Sequence, residues 1–145
     1  MFDPSGYEKL KENARNDYNK LPEIICPALK LQVSFNGQGF NHIIFKNHRN
    51  ERDKISQIMR FKLMKKAYYL IGVTTTIQEY ESINKIFTVK KYKEKKIVNK
   101  EVFYYGFIAI IDDRKIKVIL RKIGNGNLHF WSVIRSEEHT SELQS

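Results

Sequence analysis

The sequence is poor in several things, and each shortage closes off a class of protein. A single cysteine, Cys26, leaves no internal disulfide, and neither it nor His42, His48 and His129 shows a metal-ligand spacing. The longest apolar run, residues 102–111, falls far short of the roughly 20 residues that a membrane-spanning helix needs. The opening MFDPSGYEKLKENARND lacks the basic-then-apolar order of a secretory signal, so the chain is expected in the cytoplasm and away from membranes. No glycine-rich phosphate loop links a strand to a helix, and no paired carboxylates share a face, which leaves nucleotide hydrolysis and metal-dependent chemistry with little support. Acids are also scarce: 16 stand against 26 lysines and arginines, a net of +10. That balance favours a polyanionic partner, nucleic acid ahead of an anionic membrane surface, bound in a salt-sensitive way.

What the sequence does hold is concentrated in residues 101–134, EVFYYGFIAIIDDRKIKVILRKIGNGNLHFWSVI. Three runs rich in β-branched and aromatic residues are separated by Asp112-Asp113 and Asn125-Gly126, and such pairs between apolar runs signal hairpins. A three-stranded antiparallel meander follows. If each turn is a two-residue loop, one face carries Ala109 beside Ile116, Phe107 beside Val118 and Val133, Tyr105 beside Leu120 and Trp131, and Phe103 beside Lys122 and His129. This is the core face, with His129 and Lys122 at its rim. The other face carries Ile108 beside Lys117 and Ile134, Gly106 beside Ile119 and Ser132, and Tyr104 beside Arg121 and Phe130. A face mixing cations, aromatics and a hydroxyl is expensive to bury, so it is a binding surface or is simply exposed.

The remainder of the chain reads in order. Asp3-Pro4 starts a polar surface helix over residues 4–20, and two of the three prolines break the chain between Leu21 and Pro27. Residues 29–35 alternate as a strand with Leu29, Leu31, Val33 and Phe35 on one face. Asn36 to Gly39 reads as a turn, followed by the short apolar segment Phe40 to Phe45 that holds His42. Residues 51–71 give the strongest helical pattern, with Ile55, Ile58, Met59, Leu63, Ala67, Leu70 and Ile71 on one stripe and Arg52, Ser56 and Arg60 on one flank. Residues 74–83 resemble a short capped helix. Residues 84–100, centred on KKYKEKK, are a strand pair with a basic tip or a mobile loop, the hairpin being preferred.

A length of 145 residues with 41% hydrophobic side chains suits one folded unit. Residues 1–28 form an N-terminal helical arm, 29–134 the main α+β domain, and 135–145, RSEEHTSELQS, a tail that resembles the in-frame translation of a short-read sequencing adapter. Leaving that tail out removes one arginine and three glutamates and makes the chain more basic by two charges. Residues 136–145, with Leu143 alone to bury, are expected to make no packed contacts, and His139 is set aside.

Histidine, arginine, lysine, tyrosine and serine in a basic domain suit metal-independent cleavage of RNA. Gly39-Phe40-Asn41-His42, a helix with Arg52 and Arg60, and a meander with Arg121, Asn125-Gly126 and Phe130-Trp131-Ser132-Val133 together resemble small nucleases of the barnase, EndoU, colicin and RelE superfamily, in the branch carried by phages and mobile elements. The resemblance covers roughly residues 29–134 and rests on short motifs. It implies N-terminal helices packed on one face of a four- to five-stranded antiparallel sheet that ends in the meander, with RNA on the other face. It also implies toxin-like cleavage to a 2′,3′-cyclic phosphate without metal or other cofactor, and an acidic antitoxin or immunity protein as a partner. One departure stands out: no glutamate on the meander matches the general base of the barnase branch.

The candidate catalytic residues are therefore His42 for proton transfer, Arg60 and Arg121 as phosphate clamps, and Ser132 as an orienting hydroxyl. Arg52, Tyr104, Lys117, Phe130 and Tyr92 are candidates for RNA contact. Each has a plainer role open to it: His42 as a hydrogen-bonded structural histidine, Arg52 and Arg60 as a solvated helix flank, and Tyr92 as one residue of an exposed basic hairpin. The competing functions are a non-catalytic RNA-binding module on the same scaffold and a DNA-binding protein that uses the basic helix. The wide apolar stripe of that helix suits core packing better than groove reading.

Overall fold

Turn chemistry and capping account for most of the chain's path in a computed structural model that describes residues 4–47 and 49–135. The elements are α1 (Pro4–Asn19), β1 (Ile24–Cys26), β2 (Leu31–Ser34), α2 (Gly37–Ile44), β3 (Phe45–Asn47), β4 (Asn50–Glu51), α3 (Lys54–Val73), β5 (Glu79–Lys91), β6 (Glu94–Ile111), β7 (Arg114–Ile123) and β8 (Leu128–Arg135). The tail expected to lie unpacked, residues 136–145, falls outside the described residues.

The fold is α+β, with the helices in the N-terminal half, but the sheet is larger than expected and mixed. Its order is β1-β2-β8-β7-β6-β5. β2 pairs with β8 in parallel, Val33 opposite Leu128 and Ser34 opposite His129, while every other ladder is antiparallel. A parallel pair needs a long crossover, and here α2, α3 and the β5–β7 strands supply it. β3 and β4 form a separate two-stranded ladder.

The β6–β7 hairpin closes as a two-residue turn in which Asp112 and Asp113 both adopt left-handed φ, 51° and 64°. The expected β6–β7 register follows, from Ile111 opposite Arg114 to Phe103 opposite Lys122. Between β7 and β8 the expected register holds from Lys117 opposite Ile134 to Ile119 opposite Ser132 and is then lost. Leu120 pairs with Phe130, so Trp131 is an extra residue in β8, a β-bulge. Because side chains alternate faces, this one residue exchanges the sides of the preceding segment. Phe130 joins the main core, whereas His129 comes to lie beside Arg121.

Residues 74–83 do not form the expected capped helix. The chain is extended there, and β5 begins at Glu79 and runs to Lys91. The β5–β6 hairpin is realised with its basic tip, Lys91 opposite Glu94, and Tyr92 at the turn takes a φ of 59°.

α3 covers the face lined by Phe107, Val118 and Leu120, burying Leu63, Ala67, Leu70 and Ile71. Its first turns depart from the expected stripe. Asp53 caps the helix by accepting from the Ser56 amide at 2.8 Å, so Arg52 precedes it, and Ile55 is 68% exposed while Gln57 and Arg60 are buried. These polar side chains have partners that make burial tolerable: Gln57 Nε2 donates to Arg52 O at 2.7 Å, and Arg60 Nη1 donates to Val133 O on β8 at 2.6 Å. α1 is not confined to the surface either. Tyr7 and Tyr18, three turns apart, are both buried, and Tyr18 and Cys26 join the main core, so α1 and the segment after it to Cys26 pack into the same body as the rest.

Candidate functional site

The segment expected to be a turn, Asn36 to Gly39, instead starts a helix. Asn36 is the N-cap, its side chain accepting from the Gly39 amide at 3.1 Å, and Phe40, Ile43 and Ile44 turn inward at helical spacing. Gly39 has a steric role. A Cβ there would stand 2.6 Å from Phe130 O and 2.5 Å from the Tyr18 hydroxyl, so its absence lets α2 lie directly against β8. Tyr18 fixes the same junction by donating to Asn36 O at 2.6 Å. At the other end, Arg52 donates from Nε to His42 O at 3.0 Å and from its amide to Ile44 O, placing a cation where the helix dipole is negative.

With one side of α2 in the core, Gln38, Asn41 and His42 face a cleft of about 550 Å³. Phe45, Lys46 and Asn47 of β3, Lys85 and Phe87 of β5, Arg121 and Ile123 of β7, and Trp131 of β8 complete its wall. The wall therefore contains cations, a histidine, amides and aromatics, and no carboxylate among the described residues. The sheet face behind it is not simply exposed: Val102, Tyr104 and Ile119 form a second buried cluster against Ile83, Phe87, Ile123 and Trp131.

Arg121 is the centre of the polar network. Its Nε donates to His129 Nε2 at 2.9 Å, its Nη2 donates to Gln38 Oε1 at 2.7 Å, and its guanidinium carbon lies 3.6 Å from the Trp131 ring centre. Burial pulls the Arg121 pKa down, opposed by Tyr104. Since His129 accepts at Nε2, its proton sits on Nδ1, 3.2 Å from Asn127 O. Burial, then the Arg121 charge, lower the His129 pKa to about 4. His42 packs against the same indole with ring centres 4.1 Å apart, and its buried Nδ1 has no hydrogen-bond partner among the described residues. Its pKa is lowered to about 3, first by burial and then by Arg52, Arg60, Arg121 and Lys85.

Of the residues expected at the site, the structure brings His42 and Arg121 to one cleft, on the side of the sheet where Tyr104 lies behind them. Arg60 contributes its charge to His42 but not to the cleft wall, because its guanidinium is spent on the β8 carbonyl. Ser132 is buried opposite Ile119 and away from the wall. Arg52 is a helix anchor rather than a flank of α3. Lys117 is ion-paired with Glu79 at 3.2 Å and lies outside the cleft, Phe130 is in the core, and Tyr92 stands 89% exposed at the far hairpin tip. His129, expected at the rim of the core face, holds Arg121. Sequence reasoning missed Lys85, Lys46, Gln38 and Asn41 as wall residues. The signal for Lys85 was its even spacing from Ile83 and Phe87, which becomes legible once residues 79–88 are taken as a strand. No family model, curated protein or solved structure matches the chain.

Proposed function

We propose that the chain is an endoribonuclease that holds RNA in the cleft between α2, β3 and the sheet and cleaves it without a metal ion. The observation that carries this reading is the convergence of His42, Lys46, Lys85 and Arg121 with Trp131 on one wall that, among the described residues, has no carboxylate. Such a wall attracts a phosphodiester, and its aromatics offer faces on which bases stack. Neutral His42 has a lone pair to take the 2′-hydroxyl proton. Burial first, and then the neighbouring cations, lower its pKa to about 3; a phosphate that arrives counters the cations and so raises its basicity in the complex. The 2′-oxygen then bonds to phosphorus, Arg121 stabilises the charge that develops on the phosphorane, and the bond to the 5′-oxygen breaks. The products are a 2′,3′-cyclic phosphate and a 5′-hydroxyl. The short motifs that resemble small phage-borne nucleases lead to the same reaction.

A second reading, a non-catalytic RNA-binding module, is favoured by one observation: an imidazole that titrates near 3 is a weak base until its surroundings change. Labelled RNA incubated with the protein in excess chelator separates the two. Cyclic phosphate ends are the expected result, whereas intact RNA with salt-sensitive retention would leave the binding module as the function.

A further inference from the structure

In-line attack on a phosphodiester needs a proton acceptor on one side of phosphorus and a proton donor on the other, and His42 supplies the first alone. We infer that Lys85 is the general acid of this site, giving its ammonium proton to the departing 5′-oxygen; the inference rests on the ribonuclease reading above. β5 is at one edge of the sheet and is separated from β8 by β6 and β7. On a flat sheet those two strands would lie roughly 14 Å apart. Lys85 nevertheless lines the same cleft as Trp131 and the α2 residues beside β8. His42, on α2 beside β8, and Lys85, on the edge strand β5, thus reach the cleft from different elements, with Arg121 on β7, a strand that lies between β8 and β5. That disposition matches the separation of base, charge stabiliser and acid along an in-line path.

Lys85 is also held for the task. Strict alternation along β5 turns Ile83, Lys85 and Phe87 inward, and the Lys85 ammonium donates to the Tyr104 hydroxyl at 3.0 Å while lying 5.6 Å from that ring's centre. Lys117, on the same sheet face, is instead ion-paired with Glu79 and stands outside the cleft. A phenol orients an ammonium without neutralising it, so Lys85 keeps a proton to give. In the step, the electron pair of the breaking P–O bond passes to the 5′-oxygen, which takes the proton from Nζ. His42 has meanwhile gained the 2′-hydroxyl proton, and exchange with water returns both groups to their starting forms. Tyr104, fully buried and outside the wall, is a positioning residue.

The test compares RNA with nucleoside 3′-(4-nitrophenyl phosphates), whose leaving group departs without being protonated. Lys85→Arg, which keeps the charge and length that the strand accommodates, and Lys85→Met are measured beside the unaltered chain, with thermal unfolding as a check on folding. In both variants the loss of rate on RNA is expected to exceed the loss on the nitrophenyl esters by about 100-fold or more. An equal loss on both substrates would make Lys85 a charge clamp and overturn the inference, as would no loss on either. If the unaltered chain cleaves neither substrate, the ribonuclease reading itself fails and the inference falls with it.

Discussion

Two buried imidazoles set the acid sensitivity of this molecule. His42 and His129 titrate near 3 and near 4 in the folded chain, against about 6.5 when unfolded. Between these values the unfolded state binds protons that the folded state refuses, so stability is fully present above pH 6.5 and declines as pH falls toward 4 and 3. By pH 5 the two groups together cost on the order of a few kcal/mol. The melting temperature is expected to drop clearly between pH 7 and pH 5, and His129→Gln, which retains an acceptor for Arg121, is expected to flatten that drop. A melting temperature constant over this range would show that the imidazoles are solvated. At this scale the sequence disclosed residue types better than their roles. His42 and Arg121 stood out by type and neighbourhood, but nothing in the one-dimensional pattern says that Arg60 is consumed by Val133 O or that Lys117 is neutralised by Glu79.

Among the elements, α2 positions the site and was the least legible. Gly37 and Gly39 look like turn residues, yet Gly39 is needed because α2 rests on the β8 backbone at Phe130 O. Gly39→Ala is therefore expected to destabilise the domain by about 1–3 kcal/mol, although alanine is the better helix former. Denaturant titration checks this, and a stabilised Gly39→Ala variant would mean that helix propensity governs the position. The meander, by contrast, was readable because Asp112-Asp113 dictates its turn and thereby the β6–β7 register. The Trp131 bulge was not, since an inserted residue leaves no mark in a run of apolar and polar side chains; it alone moved Phe130 into the core and His129 to Arg121. The C-terminal half of α3 followed its apolar stripe, while the N-terminal half buried Gln57 and Arg60 through hydrogen bonds that periodicity does not encode.

For the molecule as a whole, charge and shape point the same way. Among the described residues no helix is long and apolar enough to cross a membrane. The net charge of +10 has a concentrated source in the β5–β6 arm, where Lys90, Lys91, Lys93, Lys95 and Lys96 surround the exposed Tyr92. If the arm follows RNA beyond the cleft, replacing those five lysines with alanine should make binding less salt-dependent, each lost phosphate contact lowering the log–log slope by about 0.7. A slope unchanged by the replacements would confine RNA to the cleft. The α+β class and the covering of one sheet face by a helix were legible as the pairing of the two largest apolar surfaces, whereas the parallel β2–β8 contact and the meeting of β5 side chains with α2 at one cleft depend on long-range packing. The central claim, that this cleft performs cleavage through His42, is tested most directly by the single-turnover rate of cyclic phosphate formation in chelator, measured with RNA fully bound to the unaltered chain and to His42→Ala. The account predicts a fall of about 100-fold or more in rate with RNA affinity nearly unchanged; equal rates in the two proteins, or no cyclic phosphate from either, would contradict it.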